Sequence, residues 1–488
     1  MSFGRSMTST TRTGTMFRAG ERQQARGNAW SKQLFWPGIG DGRMSHDPAR
    51  GRVTVSESTS RTALAGSTIT PQSGIRDVMR NRDFRLFWFA AIVSNSASWM
   101  QTVGVAAHLW NVTESATWLG ASGFAMMIPA TVLTPYAGVL ADYLPRRLIL
   151  GVTQTLQMLF AFAFFVVYKA DLLTPWRVLG LLFCTGIISG IQMAAWQSFV
   201  PTLVPREHLV TAVRLNSVQF QASRAIGPMV GALALSLFGI GAAFLANAIT
   251  FVPVVLAVVM ARPMQTIAPR AQTKVFEAMA EGFRYTWSRP SMRRVVIAAF
   301  LLSAFGQSLI QLTAAMAAEM YGRSSDDNAA LVAAFGIGSV VSGLTMVFLG
   351  NRVSRSATLR LGLIAYVCGV ALLPLSTDFR VGLAGLFVCG LAHIPVATTF
   401  NTFMQSSVPD QYRGRVVACY LTGVMLGMPV GSFSLGRLGD VIGMRETIAL
   451  DALAMGLFAS FVFVVYAGMR FLDHDVVEAD TDVSFATA

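Results

Sequence analysis

Apolar runs of spanning length recur along this chain, separated by short polar gaps. Residues 84–110, 118–141, 148–168, 176–200, 213–237 and 240–261 form the first six runs. Residues 295–318, 329–350, 359–376, 381–404, 416–435 and 447–469 form six more. A helix needs about 20 predominantly apolar residues to cross a bilayer. The pattern therefore predicts an all-α membrane protein with twelve transmembrane helices. The longest internal gap, 262–294, divides the runs six and six. Inside it Val275, Phe276, Met279, Phe283 and Trp287 recur at helical spacing, with Glu277, Glu281 and Arg284 on other faces. That predicts an amphipathic linker helix lying along the membrane surface. The expected organisation is a disordered cytoplasmic arm (1–74), a first six-helix half (75–261), the linker (262–294), a second half (295–469) and a cytoplasmic tail (470–488). The arm is polar and rich in Ser, Thr, Gly and Arg, which suits disorder. An upstream misplaced start is a competing account, since Met79-Arg-Asn-Arg-Asp83-Phe-Arg85 would open the chain naturally.

Composition agrees with the pattern. The 488 residues are 53% hydrophobic and 13% charged, against roughly 25% charged in soluble proteins. The net charge of +13 would suit nucleic acid if the arginines formed one groove. They fall instead in alternate short gaps. Arg146, Arg147, Arg206, Arg289, Arg293, Arg294, Arg413 and Arg415 are among those on one side. The other side holds only Lys169, Arg177, Arg323, Arg380, Arg437 and Arg445. This is the positive-inside asymmetry. It predicts cytoplasmic N- and C-termini and no nucleic-acid partner. The four cysteines, Cys184, Cys368, Cys389 and Cys419, show no C-x-x-C or Cys/His spacing, so neither a metal nor another cofactor is expected. No H-E-x-x-H, no G-x-S-x-G with a plausible partner and no G-x-x-x-x-G-K-[ST] occurs, so the chain reads as neither an enzyme nor an ATP-driven pump.

The halves repeat. One shift of 204 residues lays Phe199 on Phe403 and Val204-Pro205 on Val408-Pro409. It also lays Gly227 on Gly431, Gly239 on Gly443 and Asn247 on Asp451. A constant offset across three spans argues for duplication of a six-helix unit.

Between the second and third runs stands Gly138-Val-Leu-Ala-Asp142-Tyr-Leu-Pro145-Arg146-Arg147. It resembles the signature loop of the major facilitator superfamily, with Pro145 where that pattern has glycine. The resemblance implies two pseudo-symmetric six-helix bundles related by an axis along the membrane normal. It also implies that Asp142 latches onto the start of the eleventh helix, near Arg413 and Arg415, in the outward-facing state. The equivalent stretch of the second half, residues 343–352, has no acid at the matching place, so a one-sided latch is expected. Gly227-Pro228-x-x-Gly231 in the fifth run resembles the signature of exporting branches. Pro228 removes a backbone hydrogen bond, and the glycines permit close packing; a packing kink without directional meaning is the plainer account. Ser94-Asn-Ser-Ala-Ser-Trp99-Met-Gln101, Val204-Pro-Arg206 with Asn216, and Gly282-Phe-Arg-Tyr285 resemble the branch of enterobactin exporters, macrolide efflux pumps and transmembrane secretion effectors.

Polar groups inside the runs are the candidate machinery, because polar and ionisable groups in a bilayer are costly and commonly functional. Asn95, Ser98 and Gln101, Gln192, Gln219, Gln307 and Gln311, and Asn401 are expected to face a cavity, or else to join helices. Gln307 and Gln311, four apart on a helix, share a face. Arg224 lies about 16 Å along its helix from the cytoplasmic start. It suits either an anionic substrate or the carbonyls of a kink. Asp451 is the acid deepest in a run, either a proton carrier or a structural partner. His108 and His393 are packed polar residues or titrating switches. Trp99 and Trp196 either pack or stack on cargo.

The leading expectation is a secondary active exporter, a proton antiporter of a small organic molecule across the bacterial inner membrane. A siderophore-like metabolite is the first specific cargo. A multidrug or macrolide pump and a lysophospholipid flippase of the same fold are the alternatives. The expected partners are the cargo, protons and the lipid bilayer. The chain is expected to be monomeric, with an outer-membrane exit route as the one further partner considered.

Overall fold

Every regular element among the described residues is helical, as the periodicity predicts. The computed structural model describes residues 74–262, 275–324, 327–349, 353–465 and 472, all within the unit Ile69–Ala488. The expected arm up to residue 73, most of the tail and linker residues 263–274 lie outside the described residues.

The first half runs α1 (Ile75–Arg80), α2 (Arg82–Thr113), α3 (Ala116–Tyr143), α4 (Arg146–Lys169), α5 (Pro175–Phe199) and α6 (Leu209–Met260). After the linker helix α7 (Val275–Ser288) come α8 (Pro290–Phe305), α9 (Asn328–Leu349), α10 (Arg355–Leu372), α11 (Phe379–Ser406), α12 (Asp410–Ile442) and α13 (Met444–Val465). Local chemistry sets the ends. Asn81 caps α2 by accepting from the Asp83 and Phe84 amides, and Ser354 and Asp378 cap α10 and α11 in the same way. Such side chains satisfy donors that the first turn leaves unpaired.

Two glycines at positive φ interrupt or end long helices. Gly239, at φ 75°, bends the 52-residue α6 into two arms. Gly443, at φ 96°, separates α12 from α13. Side chains disfavour this left-handed region, so glycine is the residue for the turn. The pair superposes under the 204-residue shift, so the repeat is expressed in backbone geometry as well as in letters.

Ten helices are long and apolar enough to cross a membrane, by length and composition, among the described residues. The expected spans 84–110 and 213–237 are helical but are not among the ten. The first carries Ser94, Asn95, Ser96, Ser98 and Gln101, and the other Arg214, Asn216, Gln219 and Arg224. These polar residues lower the hydropathy that would mark a span.

Helix pairing positions the site. In the first half α2 lies on α6, and α3 and α4 lie on α5; in the second, α9 and α10 lie on α11, and α8 on α12. The two most extensive contacts between the halves are α3 with α12 and α6 with α9. Glycines permit the closest of these approaches. A Cβ on Gly120 would collide with the Ser432 carbonyl, and one on Gly436 with that of Ala116. Small residues at helix crossings are the usual device for packing in lipid, where no hydrophobic gain separates protein from solvent.

Candidate functional site

The bundle has two ends. One carries the start of α3 at Ser115 and the end of α12; the other carries Arg147, the end of α6 and the linker helix. Between them lie the polar side chains singled out above.

In the first half the polar groups bind one another. Asn247 on the second arm of α6 donates through Nδ2 to Gln101 Oε1 at 2.8 Å. Ser98 Oγ donates to the Ser94 carbonyl at 3.0 Å and lies 3.5 Å from Asn247 Oδ1. Ser98 and Gln101 thus join helices, the plainer of their two readings. Gln219 is fully buried; its Nε2 meets Ser223 Oγ at 3.3 Å, while its Oε1 has no partner among the described residues. Asn95 Nδ2 and Gln192 Oε1 are likewise buried without a hydrogen bond. Buried polar atoms are rarely left so without water, ligand or function. The side chain of Arg224 lies outside the described residues.

Several aromatic and imidazole residues pack or hydrogen-bond within the bundle. Trp196 is buried, donates to Asn216 Oδ1 at 3.0 Å and packs on Phe87 and Phe220. Trp99 sits against Gly227, where a Cβ would overlap its indole, and Gly231 lies against the Met100 backbone. The Gly227–Gly231 motif therefore brings α6 against α2. Of Pro228 the structure describes only the backbone, which is helical; the non-helical dihedrals of α6 lie at Gly239. His108 Nε2 lies 2.7 Å from the Leu173 carbonyl, and His393 packs on Phe335.

The second half is built differently. After Gly306, α8 tightens into a 3-10 segment, Gln307–Leu312, and ends in a π turn, Met316–Met320. This corrects the expectation that Gln307 and Gln311 share a helical face. At three residues per turn, positions four apart differ by about 120°. Gln307 accepts from Ser303 Oγ at 3.2 Å, and Gln311 reaches toward Gly123 of α3. Both are buried. Asn401 accepts from Gln405 at 3.0 Å. Asp451 is 1% exposed, and neither carboxylate oxygen has a hydrogen-bond partner among the described residues.

At the Ser115 end the halves are joined. Asp440, near the end of α12, accepts from Ser115 Oγ at 2.5 Å and from the Ala116 and Thr117 amides at 2.6 and 3.2 Å. A carboxylate thereby caps the positive start of α3 from the other half. Asn328 Nδ2 to the Val103 carbonyl, at 3.3 Å, adds a second cross-link. Asp440 was missed in the sequence although the signal was there. Gly436-x-x-x-Asp440-x-x-x-x-Arg445 has the spacing of Gly138, Asp142 and Arg147. The two arginines also act alike. Arg147 donates to the Val258 carbonyl at 3.0 Å and to that of Val259, closing the end of α6. Arg445 donates to the carbonyls of Pro374 and Met320 at 2.7 and 2.8 Å.

At the Arg147 end the structure describes only the helical backbone at Gly138 and Asp142. Arg146 begins α4. Arg413 is exposed. Arg415 pairs with Glu281 of the linker helix at 2.5 Å, a partner the sequence did not indicate. Tyr285 stacks on Tyr412 at 4.5 Å, so α7 is docked on the start of α12.

Comparison with known proteins agrees with this architecture. The staphyloferrin A transporter of Staphylococcus aureus (strain NCTC 8325 / PS 47) is 21% identical over 392 residues, 78% of this chain and 95% of that protein. The multidrug efflux pump Tap of Mycolicibacterium fortuitum is 25% identical over 394 residues, 77% and 95% of the two chains. The crystal structure of a mutant of the nucleoside transporter NupG superposes with a TM-score of 0.67 at 13% identity, covering 80% of this chain and 99% of that one. The family profile described as transmembrane secretion effector matches residues 76–484. The chain belongs to that family, and so is a multi-pass membrane transporter of the major facilitator type.

Proposed function

We propose that this protein is a secondary active exporter that moves a small organic molecule outward across the bacterial inner membrane in exchange for protons. In this reading α2 and the first arm of α6 also span, giving twelve spans in two halves, residues 75–261 and 295–469, joined by the 262–294 linker. The arginine-rich Arg147 end faces the cytoplasm, which places both termini there and the Ser115 end outside.

The observation that carries the reading is the Asp440 contact. Asp440, at the end of α12, caps the start of α3. Asp142 stands near the end of α3, and the family resemblance directs it to the start of α12. One helix pair would thus hold two carboxylate latches, one at each end, and only one can be closed when the halves rock about a midplane site. The Asp440 contact corresponds to a state closed outside. Gly138, Asp142, Arg146 and Arg147, with Arg413 and Arg415, belong to the inner gate.

Between the gates, the unpartnered atoms of Asn95, Gln192 and Gln219, with Gln307, Gln311, Asn401 and Arg224, form the cargo site. Ser98 and Gln101 support it through Asn247. Amides and an arginine with few acids suit neutral or anionic cargo. The staphyloferrin A relative favours a siderophore-like metabolite; the efflux pump Tap is the observation that keeps a drug in view. Asp451, a buried carboxyl group without a hydrogen-bond partner, is the proton carrier.

The test is comparison of metabolites secreted by wild-type and deletion strains. Loss of one secreted compound, restored by the gene, is the expected outcome. Equal secretion of every candidate sinks the export reading. Stronger binding of lipophilic cations than of catecholates or carboxylates by purified protein would remove the inclination toward anionic cargo.

A further inference from the structure

Two adjoining cavities at the Arg147 end lie off the proposed cargo path and share only Arg147 with the inner gate. The first is an apolar groove of about 520 Å³ between α4 and α6, lined chiefly by Leu148, Gly151, Val152, Leu156, Val258 and Val259. It follows α4 for two turns, about 12 Å at 1.5 Å per residue. Leu148, Val152 and Val259 are all about half exposed, so the groove opens on the outer face of the bundle. Gly151 keeps it deep; a Cβ there would meet only Val258, at 3.9 Å.

The second cavity, of about 590 Å³, shares Arg147 and Val259 with the first and adds Arg82, Asp83 and Arg262. Asp83 accepts from the Arg262 backbone amide at 2.8 Å, which ties the end of α6 to the start of α2. Arg147 is held by the Val258 and Val259 carbonyls. None of the three guanidinium groups has an ion-pair partner among the described residues. Three arginines therefore face one carboxylate at the depth where α2 and α4 begin.

We propose that these joined cavities form one binding site for an anionic phospholipid. Its phosphate lies among Arg82, Arg147 and Arg262, and one acyl chain lies in the groove between α4 and α6. Guanidinium groups bind phosphate oxygens through paired donors. Basic pockets between helices at the cytoplasmic surface select acidic headgroups. The apolar groove adds what a soluble anion lacks, a seat for hydrocarbon. Such a lipid would bridge α2, α4 and α6, binding the first half together at its inner edge.

The test uses the full-length protein, delipidated in detergent and titrated with palmitoyl-oleoyl phosphatidylglycerol or with phosphatidylcholine of the same chains, read by native mass spectrometry. Wild type is expected to retain one phosphatidylglycerol with about tenfold preference, a difference of about 1.4 kcal/mol. The double variant Arg82→Gln, Arg262→Gln should bind both lipids alike. Val152→Trp, which fills the groove, should lose retention of both. Thermal unfolding of each variant establishes that it is folded, and Arg177→Gln with Arg380→Gln, at the opposite end, should keep the wild-type preference. Equal retention of the two lipids by wild type overturns the proposal, as does undiminished preference in the folded double variant. Displacement of the lipid by millimolar inorganic phosphate also overturns it, because the site would then be an anion pocket without a tail seat.

Discussion

Asn247 and Asp451 occupy the same place in the two halves, eight residues beyond the positive-φ glycines Gly239 and Gly443. Their surroundings differ. Asn247 is held by Gln101 at 2.8 Å, with Ser98 beside it, and its helix lies on an unbroken α2. Asp451 has no hydrogen-bond partner among the described residues, and the first helix of its half breaks at Gly306 into 3-10 and π turns. A duplicated position has become an interhelical amide in one half and a carboxyl group in the other. An amide cannot carry a proton and a carboxyl group can. The comparison teaches that the first half is cross-linked by its polar residues, while the second holds a buried ionisable group in reserve.

The largest effect should come from erasing this difference. Asp451→Asn is expected to abolish proton-driven transport, a loss on the order of tenfold or more in proteoliposomes under a pH gradient, while cargo binding persists. Retained proton-driven transport would show that Asp451 is structural. Asp440→Asn comes next. It weakens hydrogen bonds to a charged acceptor, worth about 1.5–3 kcal/mol, and should shift the population away from the state closed at the Ser115 end. Asp142→Asn should shift it the opposite way and slow cycling with little change in cargo affinity. Spin-label distances across each end check both, and a shift of the same sign in the two variants would break the paired-latch reading.

The glycine turns give a smaller and unequal effect. A side chain at positive φ costs roughly 1–2 kcal/mol, so both Gly239→Ala and Gly443→Ala should lower thermal stability. Gly443→Ala should cost more, because its Cβ would stand 2.5 Å from the Glu446 carboxylate, whereas nothing lies within 4 Å at Gly239. Equal losses would show that the neighbour moves aside freely. The smallest effect belongs to Asn247→Ala. Interhelical hydrogen bonds in membranes average about 0.6 kcal/mol, so its unfolding midpoint should fall slightly and its transport rate stay near wild type. A loss of transport as large as that of Asp451→Asn would make the two halves functionally equivalent.

Much of this was legible because helix length and hydropathy report directly on the bilayer. The all-helical architecture and the amphipathic linker could be read from spacing alone, since each depends on residues near in sequence; the glycines Gly239 and Gly443 were legible only as a repeat match, and their turns came from the structure. The site was less legible. Helical spacing puts Gln307 and Gln311 on one face, and nothing local announces that α8 tightens into a 3-10 segment after Gly306, where a Cβ would overlap the Tyr366 ring. Arg415 was assigned to a latch, and its pairing with Glu281 depends on how α7 docks. Asn247 was seen only as a repeat match, although it is the hub that joins Ser98 and Gln101.

By itself, then, the sequence determined that this is a multi-spanning helical membrane protein with an internal duplication and a superfamily loop at Gly138–Arg147. Apolar length and helical periodicity are local properties, and the lipid environment converts them into structure with few alternatives. Only the tertiary structure decided which polar groups satisfy one another and which stay unpaired, and that Asp440 caps α3 from the opposite half. Those outcomes depend on contacts between residues separated by a hundred or more positions, where a buried polar atom is satisfied or stranded by the packing of whole helices rather than by its neighbours in the chain.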